Sequence, residues 1–338
     1  MTGGRRVRAL ALVSSGLDSM LAAKLVRDQG IDVTGIHCMF RFDPAGQEDP
    51  QSRFDRLFGP LDIPVQIHDV TDAFLRMVLD PPHGYGKGLN PCIDCKIFML
   101  RHARDLLASL DARFVVTGEV AGQRPMSQMK PTLFHIEKES GIRGLIVRPL
   151  SARCLPPSIP EKRGWVDRNR LFGISGRSRK IQIEIAESLG IRLYNQPAGG
   201  CILTDLNYAS RAKRLFRERE RSAITPEDMR LLRPGRHFWT DRGVHVVVGR
   251  DEADNGVLEG FRTGRWVFEA VDFTGPLVLA ENVRDAADIE TVAAITARYC
   301  GRNKADRFRI RFAGPRESGE VTAVPVDDAV LNGWMVSS

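Results

Sequence analysis

No apolar run in the 338-residue chain approaches the roughly 18 residues that a membrane-spanning helix requires. The longest early stretch, Ala9 to Val13, is too short even for the core of a signal peptide. A cytoplasmic protein without a membrane partner is therefore expected. Cysteine is scarce, with six residues, which excludes a disulfide scaffold and turns cysteine spacing into a metal or redox question. There is no second Cys-x-x-Cys and no His pair to complete a zinc site. Internal repeats and low-complexity tracts are also missing, so solenoid and disordered architectures drop out.

A hydrophobic fraction of 43% is enough for a real core, and the length implies more than one domain. The net charge of +7 is uneven. Residues 1–140 and 205–338 each sum to zero, and the whole surplus sits in 141–204. Charge concentrated in this way points to a polyanionic partner. Lys162, Arg163, Arg168, Arg170, Arg177, Arg179 and Lys180 lie within nineteen residues of that segment. With Lys87, in the glycine-rich loop His83 to Gly88, they are the candidate RNA contacts. Such contacts give salt-sensitive affinity without sequence choice. Gly173 to Arg179, ahead of a helix, is a candidate anion-binding turn, and Tyr85 a candidate base-stacking residue.

Apolar and amphipathic segments alternate through the first half. Strands are predicted at Val7–Val13, Ile31–Phe40, Pro64–Val70 and Phe114–Gly118. Helices are predicted at Leu17–Asp28, Arg53–Phe58, Ile97–Leu110 and Lys180–Leu189. This rhythm predicts an α/β fold with a parallel sheet and helices on both faces, binding ligands at the carboxyl ends of the strands. From about residue 205 the character changes to a charged helix, Arg211–Arg221, followed by strands at Val244–Val248, Trp266–Val271 and Phe308–Phe312. The expected division is 1–204 followed by a smaller α+β domain, 205–338. Arg211, Lys213, Arg214, Arg217 and Arg219 are read as a local basic face.

Two motifs carry chemistry. Ser14-Ser15-Gly16-Leu17-Asp18-Ser19 joins the first strand to the first helix. Small residues there let backbone N–H groups and hydroxyls reach an anion, and the helix dipole adds to them. The Gly-Lys-Ser/Thr ending of the kinase-type P-loop is missing. Asn90-Pro91-Cys92-Ile93-Asp94-Cys95-Lys96 opens a strong helix, with Asn90 suited to the N-cap and Pro91 to the first helical position. Cys92 and Cys95 share one face of the first turn, where the dipole and Lys96 are expected to lower their pKa. Cys201 follows a Gly-Gly turn. Three cysteines with one open position fit a [4Fe-4S] cluster. Cys38 and Cys300 read as buried small hydrophobes; Cys154, flanked by Arg153 and a proline run, has no assignment.

The loop resembles the PP-loop, Ser-Gly-Gly-x-Asp-Ser, of enzymes that split ATP to AMP and pyrophosphate, with Ser15 in place of the first glycine. Thr117-Gly118-Glu119-Val120-Ala121-Gly122-Gln123, continuing to Ser127-Gln128, is similar to the signature of tRNA 4-thiouridine synthetases. Together these make residues 7–204 similar to the tRNA-thiolating PP-loop ATPases, of the three-cysteine iron–sulfur-dependent type. Within the 338 residues there is neither an RNA-binding region ahead of the loop nor a rhodanese domain. The resemblance implies ATP, Mg2+ and a [4Fe-4S] cluster as cofactors. It also implies tRNA and a sulfur donor, a cysteine desulfurase or free sulfide, as partners; a homodimer is left open. ATP would contact Ser14, Ser15, Gly16, Asp18, Ser19, Gly118 and Gln123. Cys92, Cys95 and Cys201 would be catalytic and would ligate the cluster, with Asp18 assisting. The implied reaction is adenylation of a uridine carbonyl oxygen and its replacement by sulfur, leaning toward 4-thiouridine at tRNA position 8. 2-Thiouridine at the wobble position, a small-molecule substrate and a non-catalytic RNA-binding protein remain open. Val246-Val247-Val248-Gly249-Arg250-Asp251 with Asn255, and the helix Thr291–Tyr299, resemble the small RNA-binding domain of ribosome-associated quality-control factors.

Overall fold

The computed structural model describes residues 6–42, 49–194, 201–300 and 306–336. The chain forms two compact units, Met1–Phe40 with Ala45–Cys201, and Arg41–Pro44 with Ile202–Ser338.

In the first unit the order is β1 (Arg8–Leu12), α1 (Leu17–Arg27), β2 (Asp32–Met39), α2 (Pro50–Phe58), β3 (Val65–Asp69) and α3 (Thr71–Leu79). Then come α4 (Cys92–Leu106), β4 (Phe114–Thr117), α5 (Lys130–Glu139), β5 (Ile146–Val147), α6 (Ile159–Lys162) and α7 (Lys180–Ser188). The strands form one parallel sheet in the order β3-β2-β1-β4-β5. Alternation along β1 sends Ala9 and Ala11 to one face and Leu10 to the other, each into its own core. Met20 and Leu21 of α1, Phe54 of α2 and Ile185 of α7 cover the first face. Ile97 and Leu100 of α4 and Ile136 of α5 cover the second. A side chain as fully buried as Leu100 contributes roughly 1.5–3 kcal/mol.

The winding reverses between β1 and β4. Beyond β1 the chain fills the sheet outward through β2 and β3, then returns to place β4 and β5 on the opposite side. The carboxyl ends of β1 and β4 therefore flank a topological switch point, where open parallel sheets take their ligands. Helices α3 and α5 and the short β5 were not anticipated from sequence. Strand β5 is only two residues long and is defined by its pairing with β4.

The second unit holds α8 (Leu206–Glu218), α9 (Pro226–Leu231), β6 (Arg236–Trp239), β7 (His245–Val248), α10 (Glu252–Glu259) and β8 (Trp266–Ala270). It continues with β9 (Val278–Glu281), α11 (Ala286–Tyr299), β10 (Phe308–Ala313), β11 (Ser318–Ala323) and α12 (Asp328–Trp334). Its strands form an antiparallel sheet, β11-β10-β8-β9-β7-β6. Val246 and Val248 face α11, while Val247 packs with Leu258 and Phe261. The molecule is thus an α/β protein with a parallel-sheet domain followed by a smaller α+β domain. Among the described residues no helix is long and apolar enough to cross a membrane.

Candidate active site

Serine hydroxyls hold the loop after β1 in shape. Ser19 Oγ donates to the carbonyls of Ser14 and Gly16 at 2.9 Å, and the Ser14 N–H donates back to it at 3.0 Å. Gly16 is extended at the N-cap of α1 and has no side-chain cap, its N–H making only a 3.3 Å contact with Ser14 Oγ. The first N–H groups of a helix lack intrahelical acceptors, so this end suits an anion. Ser15, which stands where the PP-loop has glycine, is not among the non-glycine residues with positive φ. The serine is accommodated without backbone strain, and its Oγ accepts from Arg53 Nη2 at 3.2 Å.

The motif after β4 packs directly on this loop. A Cβ on Gly118 would lie 2.6 Å from the Asp18 carbonyl and the Ser19 nitrogen, so only glycine fits. Gln123 Nε2 donates to Asp18 Oδ2 at 3.0 Å, and Arg179 Nη2 lies 3.5 Å from the same oxygen. Gln182 Nε2 in turn donates to Gln123 Oε1 at 3.2 Å. Asp18 Oδ1 is buried and has no hydrogen-bond partner. A carboxylate with one oxygen anchored and the other unspent, beside a phosphate-suited loop, fits a magnesium ligand.

Behind Gly118 is a buried ionic cluster. Arg148 donates from Nε to Glu119 Oε2 at 3.0 Å and from Nη1 to Glu137 Oε2 at 2.9 Å. Thr117 Oγ1 also donates to Glu119 Oε2, at 3.1 Å, and Lys96 Nζ lies 3.9 Å from Glu119 Oε1. Burial pushes the Glu119 carboxyl up, but Arg148 and then Lys96 outweigh it and hold the pKa below the ordinary glutamate value. This cluster was not anticipated; the sequence signal was the Glu in the Thr-Gly-Glu motif, but its partner Arg148 lies 29 residues away. The 173–179 turn is fastened to the same motif. The Gly176 N–H donates to Ala121 O at 2.8 Å, and Ser151 Oγ accepts from Ala121 N and donates to Ile174 O.

At the start of α4 two expectations are corrected. The helix begins at Cys92 with Pro91, not Asn90, at the N-cap. Asn90 instead uses Nδ2 to donate to Cys92 Sγ at 3.1 Å and Oδ1 to accept from Gly88 N at 3.2 Å. The Cys95 thiol is not activated: burial pushes it up to about 12, with Lys96 opposing and Cys201 and Cys92 adding to the rise. Desolvation of the half-buried Cys95 thiolate exceeds what one cation and a helix end return. Cys201 is exposed and lies within electrostatic range of Cys95. Among the described residues, however, no group of three His, Cys, Asp or Glu side chains is arranged to hold a metal ion. Residues 195–200, ahead of Cys201, lie outside the described residues. Cys38 and Cys300 are buried, as read from sequence, and burial pushes both thiols up to about 11.

The expected RNA contacts divide. Lys87, Lys162, Arg163, Arg170, Arg177 and Lys180 are exposed. Arg168 is instead tied to Glu161 Oε1 at 2.6 Å and to the Leu155 carbonyl, Arg170 donates to the Asp28 carbonyl, and Arg179 faces Asp18. The Tyr85 hydroxyl donates to the Val78 carbonyl at 2.6 Å, so Tyr85 is an anchor of its loop. The basic face expected on α8 is also reduced: Arg211 donates to the Leu232 carbonyl, Arg214 pairs with Glu218, and Arg219 bridges Asp228 and Glu281.

Two family models match the chain. Residues 7–139 match the tRNA methyl transferase HUP domain, and residues 235–335 match the NFACT protein RNA binding domain. The first unit carries a PP-loop HUP domain. The tRNA-specific 2-thiouridylase MnmA of Desulfosudis oleivorans is 39% identical over 111 residues, covering 32% of this chain and 30% of that protein. The MnmA of Nocardioides sp. is 23% identical over 328 residues, covering 87% of this chain and 81% of that protein. The chain spans 30%, 35% and 38% of the first three curated relatives it matches, about a third of their length. A 4-thiouridine synthetase solved in complex with RNA and ATP aligns with a TM-score of 0.41 at 19% identity, covering 58% of this chain and 44% of that one.

Proposed function

We propose that the protein thiolates a uridine of tRNA at the expense of ATP, and that the oxygen replaced is at C2. The observation that carries this reading is the continuity of the site. Asp18 touches Gly118, Glu119 follows Gly118 and faces Lys96, and Lys96 follows Cys95. Phosphate loop and thiols thus share the carboxyl edge of one parallel sheet. The NFACT-type segment supports an RNA substrate. The curated relatives named tRNA-specific 2-thiouridylase favour C2 over the 4-thiouridine leaning of the sequence.

ATP binds with its phosphates over Gly16 and the first turn of α1. A uridine carbonyl oxygen attacks the α-phosphate, and pyrophosphate leaves. Magnesium, held through Asp18, would offset charge on the departing pyrophosphate. Adenylation turns a poor leaving group into AMP. Exposed Cys201 carries a persulfide received from a sulfur donor. Its terminal sulfur attacks the activated carbon, the C–O bond breaks, and AMP leaves with the electron pair. The Cys95 sulfur then attacks the Cys201 sulfur. The S–S bond to the product breaks, thiouridine is released, and a Cys95–Cys201 disulfide remains for a thiol reductant. Cys95 must lose its proton first, which its raised pKa makes the demanding step.

Mass spectrometry of tRNA nucleosides from cells with and without the gene tests the reading. Loss of a 2-thiouridine derivative is expected; loss of 4-thiouridine moves the target to C4, and no loss, with redundant thiolases removed, overturns thiolation. Cys95→Ser and Cys201→Ser should abolish product while Cys92→Ser keeps it. Loss in all three, with a brown iron chromophore in anaerobically purified protein, replaces the persulfide route with the cluster.

A further inference from the structure

A groove beside the edge strand β5 plays no part in the chemistry above. It runs between α5, the turn at Arg143–Gly144 and the segment 155–162, and encloses about 590 Å³. That volume is within the roughly 300–1,000 Å³ of pockets that hold small organic groups. Its apolar wall includes Phe134, which is 42% exposed, together with Leu155 and Pro156. Lys138, Arg143 and Lys162 also line it; all three are exposed, and none has an ion-pair partner among the described residues.

The two carboxylates of the groove are already committed. Glu137 accepts from Arg148 Nη1 at 2.9 Å and from Gly144 N at 2.5 Å. Glu161 accepts from Arg168 Nη1 at 2.6 Å and from Ser158 N at 2.7 Å. The three free cations therefore face no competing acid in the groove. An exposed aromatic face with cations around it, over a cavity of this size, matches the repeat of base and phosphate in a single strand. Lys162 also belongs to the segment that holds the whole positive surplus of the chain.

We infer that this groove seats an unpaired nucleotide of the RNA substrate. Its base stacks on Phe134, and Lys138, Arg143 and Lys162 take the flanking phosphates. The contact is electrostatic and sequence-tolerant. An acidic protein would use the cations but has no need of a stacking face. The inference rests on the RNA-substrate reading above.

The test is binding of an in vitro tRNA transcript to the full chain, followed by fluorescence anisotropy between about 50 and 200 mM salt. Phe134→Ala should weaken binding by about tenfold with an unchanged salt slope, because it removes stacking and no charge. Lys138→Gln with Arg143→Gln should make the log–log salt slope shallower by about 2. All three side chains are exposed, so melting temperatures should match wild type. If wild type binds tRNA and the variants bind with the same affinity and slope, the groove is not the RNA seat and the thiolation reading stands. If wild type binds no tRNA, that reading fails and takes this one with it. Variants that keep tRNA binding but lose sulfur delivery from a donor protein overturn the RNA seat in favour of a protein partner.

Discussion

Gly118 and Asp18 meet backbone to backbone: a single Cβ on Gly118 would sit 2.6 Å from the Asp18 carbonyl carbon and oxygen. The end of β4 and the first turn of α1 are thereby locked together at the switch point of the sheet. Gly118→Ala must push the phosphate loop aside. Overpacking of this kind costs about 1–3 kcal/mol. The expected result is a lower melting temperature together with at least tenfold weaker ATP binding by calorimetry, an estimate from the roughly tenfold per 1.4 kcal/mol relation. Unchanged ATP affinity would separate Gly118 from the nucleotide site.

Asp18 is held by Gln123 through one oxygen, and its other oxygen is buried without a partner. Asp18→Asn keeps the size but removes the charge. It should lower pyrophosphate release by about 100-fold, the scale of losing one preorganised electrostatic contact. Gln123→Ala should act more weakly, and raising Mg2+ should recover part of its loss. An Asp18→Asn protein with full pyrophosphate release would remove Asp18 from the reaction.

Arg148 neutralises two buried carboxylates, and Arg148→Met strands both. Breaking a buried pair from one side costs about 3–5 kcal/mol at neutral pH. The Glu119 pKa is depressed in the folded state, so the stability it contributes is present above its unfolded value of about 4.3 and is lost as pH falls toward the folded value. The gap between wild type and Arg148→Met should therefore be widest near pH 7 and narrow below about pH 4. Denaturant melts across that range check it; a gap independent of pH would contradict the assignment to Glu119.

Thiol reactivity should follow exposure. Cys201 is exposed, whereas burial holds Cys95 near 12 and Cys38 near 11. Iodoacetamide near pH 8 should label Cys201 first, half-buried Cys95 much more slowly, and buried Cys38 only once the protein unfolds. Peptide mass spectrometry reads the order. Fast labelling of native Cys95 would show a lowered thiol pKa and restore the helix-dipole expectation.

Two arginines of the basic segment serve the fold. Arg168→Ala removes bonds to Glu161 and the Leu155 carbonyl, and Arg170→Ala removes one to the Asp28 carbonyl. Arg168→Ala should lower stability by about 1–2 kcal/mol, and Arg170→Ala, at an exposed side chain, by less than about 0.5 kcal/mol; neither should change the salt dependence of tRNA binding, whereas Lys162→Gln should change it and leave stability alone.

Local pattern made much of the fold legible. Strands such as β1 and β4 are short buried runs, and α1 and α4 carry helical periodicity over several turns. Helix α5 and strand β5 were not, since β5 exists only by pairing with β4. The candidate site was legible as motifs because phosphate loops and paired cysteines are contiguous in sequence. Its electrostatics were not, because Arg148 lies far along the chain from Glu119.

The sequence by itself determined the alternating βα order, the phosphate loop after the first strand, the cysteine pair at a helix start and the confinement of the positive surplus to 141–204. Those are properties of neighbouring residues, and neighbours set backbone preference, amphipathic period and local charge. Only the tertiary structure decided which of those charges are free. It tied Arg168, Arg170 and Arg179 to groups from other segments, left Arg143 and Lys162 beside Lys138 around one groove, and desolvated the Cys95 thiol so that its pKa rises. The reason is that solvation and pairing depend on what other segments bring alongside a residue, and spacing along the chain carries no record of that.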